Sequence, residues 1–93
     1  MGSVRPKPEH LAGKLLQIRL ALGLSQTELL MRLRVEDLIA YNQISRYETG
    51  TREPPLAILL RYARVSGVCV DVLIDDEMDL PAKLPGQPKH SRR

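Results

Sequence analysis

The stretch Ser25–Gly50, SQTELLMRLRVEDLIAYNQISRYETG, carries a helix start, a break and a helix stop. Ser25 lies three residues before Glu28, the spacing of a capping box. In that arrangement the Ser hydroxyl accepts from the Glu28 backbone N–H and the Glu28 carboxylate reaches back to the Ser25 N–H. Leu24 and Leu29 stand at the two positions of a hydrophobic staple around this cap. At the far end Gly50 follows QISRYET, where a glycine takes up the left-handed conformation that ends a helix. Two short amphipathic segments with a connector between them are therefore expected.

The chain has 93 residues, enough for one small domain. It has no Trp, no Phe and three Tyr, so its core must be aliphatic. Leucine dominates and the β-branched residues are scattered, which favours helices packed on helices, an all-α fold. Cys69 is the single cysteine, which excludes an internal disulfide and a cysteine-based metal site. Nothing resembles a signal peptide, and no apolar run approaches the ~20 residues that span a bilayer. A soluble, reducing compartment is expected.

Charge is unevenly placed. Residues 1–25 carry Arg5, Lys7, Lys14 and Arg19 against Glu9, net +3, and residues 26–54 are net −1. Residues 55–80 carry Arg61 and Arg64 against Asp71, Asp75, Asp76, Glu77 and Asp79, net −3, and residues 81–93 are net +4 from Lys83, Lys89, Arg92 and Arg93. The ends are basic and the late helical region acidic, so a polyanion meets one part of the molecule and is repelled by another.

In order, residues 1–8 read as a flexible arm with solvated Arg5 and Lys7. The first helix is expected over 9–22, with Leu11, Leu15, Ile18 and Leu22 on one face and Gly23 as its stop. Arg19 lies beside that apolar stripe, where a charge needs a partner. The second helix is expected over 26–33, burying Leu29, Leu30 and Leu33, with Gln26 at its start beside the free N–H groups that attract a phosphate. Residues 34–40 read as an irregular connector or an extension of the second helix, with Val35, Leu38 and Ile39 needing burial. The third helix is expected over 41–49, with Ile44 and Tyr47 inward. Tyr41, Asn42, Gln43, Ser45 and Arg46 take the remaining surface, a set rich in the amide and guanidinium groups that read adenine and guanine edges.

Beyond the loop at 51–55, where Arg52 is placed to hold a phosphate, a fourth helix is expected from about Leu56 to Val65. Its buried stripe is read as Leu56, Leu59, Leu60 and Ala63, with Ile58, Tyr62 and Val65 spreading apolar surface beyond it. A fifth short helix is expected over 70–77, with Val68, Leu73 and Ile74 closing the core. Residues 78–93 read as a flexible basic tail adding affinity for a polyanion. The domain proper is thus 9–77.

Two short helices joined by a connector suggest a helix-turn-helix. The segments IRLALGLSQTEL, ISRYETGTREPP and LLRYARVSGVCVDVLI, in this order and near this spacing, resemble the Cro and phage-repressor type of helix-turn-helix domain, the large bacterial regulator family named after the xenobiotic response element. The resemblance covers roughly 9–77. It implies a compact five-helix bundle whose third helix lies in the major groove while the second crosses above it. It implies that Gln26 contacts phosphate and braces the recognition helix. Tyr41, Asn42, Gln43 and Arg46 match base-reading positions, Ser45 a supporting one, and Arg19 and Glu48 a structural ion pair between the first and third helices. The connector departs from the family pattern: it has about four extra residues, and Arg34 replaces the usual turn glycine. Cys69 stands where a serine cap is usual and is read as a buried, inert thiol.

The function expected is a sequence-specific DNA-binding transcriptional regulator, a repressor, that binds a palindromic operator in double-stranded DNA as a homodimer in a bacterial or phage-bearing cytoplasm. The alternative is an antitoxin or other protein-interaction module on the same scaffold, engaging its partner through the tail. No enzyme, cofactor or metal is expected: there is no glycine-rich phosphate loop, His10 and His90 lack a second ligand at metal spacing, and the acids of 75–79 lack the spacing of a calcium loop. No membrane association is expected.

Overall fold

The computed structural model describes residues 8–86. The N-terminal arm through Lys7 and the end of the basic tail, with Lys89, Arg92 and Arg93, lie outside the described residues. Five helices follow one another: α1 (Leu11–Leu22), α2 (Gln26–Leu33), α3 (Asn42–Thr49), α4 (Leu56–Ser66) and α5 (Val70–Ile74). The described residues contain no strand, and the fold is all-α.

The periodic leucines of α1 set the centre of the bundle. Leu11, Leu15, Ile18 and Leu22 are all buried, and α1 packs against α3, α4 and α5. Gly23 ends the helix at φ 72°, with its own N–H and that of Leu24 closing on the Leu20 and Arg19 carbonyls. The start of α1 is satisfied from the other end of the domain. The Asp76 carboxylate accepts from the Glu9 N–H at 2.9 Å and the His10 N–H at 3.1 Å. In the reverse direction, the buried Lys14 on α1 donates from Nζ to the Val72 and Asp75 carbonyls, 2.7 and 2.9 Å away, at the end of α5. The two helices thus cap each other, a burial the sequence reading did not foresee for Lys14.

Those uses explain why α5 stops at Ile74 and does not run to Glu77 as expected. Asp75 leaves the helical conformation and its Oδ1 accepts from the Glu77 N–H at 2.9 Å, while Asp76 is taken by α1. Leu73 is buried, Val68 packs on the core, and Ile74 is exposed. Cys69, expected to be buried, is exposed at the N-cap of α5 and makes no side-chain cap bond.

The buried face of α4 is rotated from the expected one. Ile58, Leu59, Tyr62, Ala63 and Ser66 face inward, whereas Leu56 is 80% exposed and Leu60 is exposed. Both stripes keep helical spacing, because LAILLRYARV is apolar around most of its circumference. Packing against α2 and α5 selected the one containing Tyr62. Burial pushes the Tyr62 phenol well above its ordinary pKa, and its hydroxyl has no hydrogen-bond partner among the described residues.

Residues 79–86 were expected to begin a flexible tail, yet they lie against the bundle. Leu84 is buried and Leu80 packs on the core. The Gly86 N–H donates to the Ser66 carbonyl at 2.9 Å. A β-carbon on Gly86 would overlap the Val65 carbonyl oxygen, and one on Gly67 would sit 2.8 Å from the Gly86 nitrogen. The two backbones touch only because both residues lack side chains.

Candidate nucleic-acid interface

The capping box at the start of α2 forms as spaced. The Glu28 N–H donates to Ser25 Oγ at 3.1 Å and the Ser25 N–H to Glu28 Oε1 at 2.8 Å. These bonds from the Ser25 backbone and hydroxyl hold the Glu28 carboxyl below its ordinary pKa. At its other end α2 stops on Arg34, which adopts the left-handed conformation (φ 62°). A non-glycine residue there is strained, and Arg34 is the one such residue among those described.

The connector that follows is irregular. Val35 is fully buried and Ile39 packs on the core, but Leu38, expected to be buried, is 65% exposed. Tyr41 is the N-cap of α3, and no side chain caps that helix.

On α3, Ile44, Tyr47 and Glu48 share the inward side. Asn42, Arg46 and Thr49, spaced i, i+4, i+7, form the line opposite, with Ser45 on one flank and Gln43 on the other. Asn42, Arg46 and Tyr41 are exposed. Gln43 departs from the expected exposure: it is half-buried, and its Oε1 is buried with no partner among the described residues. In this arrangement its carboxamide does not present both ends to a base. Thr49, which the sequence reading passed over, completes the outward line. Its hydroxyl lies 2.9 Å from that of Thr51 and donates to the Arg46 carbonyl at 3.2 Å. The Arg52 backbone N–H also donates to that carbonyl, at 3.2 Å, which folds the exposed Arg52 back beside the end of α3.

Three side chains fix α3 to the rest of the domain. Arg19 on α1 forks onto Glu48, Nε to Oε2 at 2.6 Å and Nη2 to Oε1 at 3.1 Å, while its Nη1 donates to the Leu24 carbonyl at 3.0 Å. The bond to Glu48 raises the Arg19 pKa above its ordinary value. Gln26 Nε2 donates to the same Glu48 oxygen at 3.1 Å. The Glu48 side chain is 5% exposed. One carboxylate thus joins the end of α1, the first residue of α2 and the back of α3, and Gln26 braces α3 from its place at the start of α2.

This geometry is two short helices locked at a fixed angle, the second with a polar outward line. A family model described as Helix-turn-helix matches residues 15–71, more than half of the chain. The chain belongs to the helix-turn-helix family of the Cro and phage-repressor type. No curated protein and no solved structure gives a match. The family is one of DNA-binding regulatory domains, so this helix-turn-helix is a DNA-binding domain. Its matched residues run from the core of α1 to the start of α5 and include the long connector. Among the described residues of the helix-turn-helix protein, no helix is long and apolar enough to cross a membrane, and no group of His, Cys, Asp and Glu is placed to hold a metal ion.

Proposed function

We propose that the chain is a sequence-specific transcriptional regulator that represses by occupying an operator as a homodimer. The observation that carries this reading is the outward line of α3, Asn42–Arg46–Thr49, on a helix whose back is pinned through Glu48. A reading helix must hold its side chains in register with base edges, and the Arg19–Glu48–Gln26 cluster supplies that rigidity.

In this reading α3 enters the major groove. Arg46 forks onto a guanine and Asn42 onto an adenine, the pairings their hydrogen-bonding groups match. Tyr41 sits at the entering end and Ser45 supports from one flank. Gln43, half-buried, contacts the edge of the site. Gln26, at the start of α2, and Arg52, after α3, hold phosphates on either side and set the register.

The apolar surface left over supports a second copy. Leu56 and Leu60 on α4 and Ile74 on α5 are exposed, and Leu56 and Ile74 line one groove of about 390 Å³. This is a different face of α4 from the one the sequence suggested. The alternative of a partner bound through a free tail from Asp79 is disfavoured by the packing of Leu80 and Leu84. The proposed setting is the cytoplasm of a bacterium, on its own or a phage's DNA.

Selection from random duplex DNA at ~0.15 M salt, where non-specific phosphate binding is suppressed, tests the reading. An inverted repeat with half-sites ~34 Å apart is the expected outcome. Weak, steeply salt-dependent binding with no motif would sink it.

A further inference from the structure

The connector between α2 and α3 is longer than a tight turn needs, and it is not slack. The Leu38 and Ile39 N–H groups both donate to the Val35 carbonyl, at 2.8 and 3.0 Å, and Val35 is fully buried. The segment is one fixed turn anchored by Val35 and Ile39, with Leu38 presented outward between them. A single exposed leucine is ordinary on a protein surface; the surroundings of this one are not. It stands four residues before Asn42 and lines an open groove of about 460 Å³ with Ala40, Gln43 and Arg52. Tyr41, 68% exposed, continues the apolar surface to the start of α3.

We propose that Leu38 is a base-reading residue whose side chain meets the C5-methyl group of a thymine beside the entering end of α3. The inference rests on the reading of α3 as the helix in the groove. Residues at the start of such a helix meet base edges, and the thymine methyl is the apolar group that the major groove displays, met by apolar side chains. The residues before Leu38 decide against a contact with the DNA backbone. Exposed Glu36 and Asp37 precede it, and carboxylates are repelled by a phosphate but accept from a cytosine amino group, so the tip of the connector suits a base edge over the DNA backbone. Gln43, Arg52 and Glu53, with Pro54 and Pro55, form the other wall of the groove, so hydrogen-bonding and apolar groups lie side by side there. Leu38 thereby adds to the site a discrimination that none of the hydrogen-bonding residues of α3 supplies: it detects a methyl group.

The test uses the full chain and the duplex it selects. Each thymine is replaced in turn by uracil, which removes the C5-methyl group alone, and affinity is measured by competition for the wild-type chain and for Leu38→Ala. One thymine in each half-site is expected to bind about fourfold more weakly as uracil, the worth of one buried methyl group. Leu38→Ala is expected to bind the thymine duplex about fourfold more weakly and to treat thymine and uracil alike at that position. Leu38→Met, still apolar and long enough to reach, keeps the preference. Affinity unchanged by uracil at every position overturns the proposal. So does a methyl preference that survives intact in Leu38→Ala, which would assign the contact to Ala40 or Tyr41. Both results leave the operator reading standing, whereas a failure to select any motif removes that reading and this one together.

Discussion

α2 and α3 are each eight residues long, and they begin in opposite ways. α2 closes its own start: Ser25 and Glu28 satisfy each other's backbone N–H groups, and Leu24 packs against the core. α3 has no side-chain cap, follows an irregular connector, and is held from behind by Ile44, Tyr47 and the Glu48 cluster. A helix whose start is closed by its own residues is stabilised there by local chemistry. A helix held through its back keeps its front and its start available. In the proposed function the difference separates a framework helix from a reading helix, and the two are expected to respond to different substitutions.

The largest expected effect is on the hold behind α3. Arg19→Met leaves the Glu48 carboxylate buried without its charged partner and should cost about 3 kcal/mol of stability, measured by urea denaturation. A loss no greater than that from removing the α2 cap would break the contrast. Next comes Arg46→Ala, which should cost about 1–3 kcal/mol of DNA affinity and relax preference at one base pair, with stability within about 0.5 kcal/mol of wild type. A matching loss of stability would show that the outward line is structural after all. Ser25→Ala should cost about 1 kcal/mol of stability without changing which bases are preferred. Arg34→Gly should add about 0.5 kcal/mol, because relief of the left-handed strain exceeds the extra entropy of the unfolded chain; a loss would mean that the Arg34 side chain makes a compensating contact.

The finest distinction comes from pH. The Glu28 carboxyl is held below its ordinary value by the Ser25 backbone and hydroxyl, and that of Asp76 by the Glu9 and His10 N–H groups. A carboxyl whose folded pKa is depressed contributes stability above its unfolded value, near ~4, and loses that contribution as pH falls through the folded value. The urea midpoint should therefore fall as the solution is acidified below about pH 4. Glu28→Gln and Asp76→Asn should each flatten that fall. An unchanged acid slope in both would show that the caps are not populated in solution.

The same contrast explains what was legible in the sequence. The α2 cap, the α1 stripe and the glycine stops are local patterns, and a local pattern can be read without knowing the fold. Arg19 announced its need for a partner by lying beside an apolar stripe, and the family resemblance pointed to Glu48. Three features were not legible because each was decided at a distance. The phase of α4 was ambiguous in a segment apolar on most sides, and packing resolved it in favour of Tyr62 over Leu56. The burial of Lys14 depended on the end of α5, which lies 58 residues later at Val72. The docking of Leu84 and Gly86 depended on an approach of two glycine backbones that no periodicity encodes. Within the candidate site, helical spacing alone placed Gln43 on the surface, and in the folded domain it is half-buried.

The mutual capping of α1 and α5 also bears on how the chain is made. α1 has the start of its backbone satisfied by Asp76, a residue synthesised 66 positions after His10. A nascent chain that has already released α2 and α3 still lacks the closure of α1, and through α1 it lacks the firm seat that Arg19 gives to Glu48. The late residues of the domain therefore complete the support of α1. A chain cut short before Asp76 carries α2 and α3 with the support of α1 unfinished.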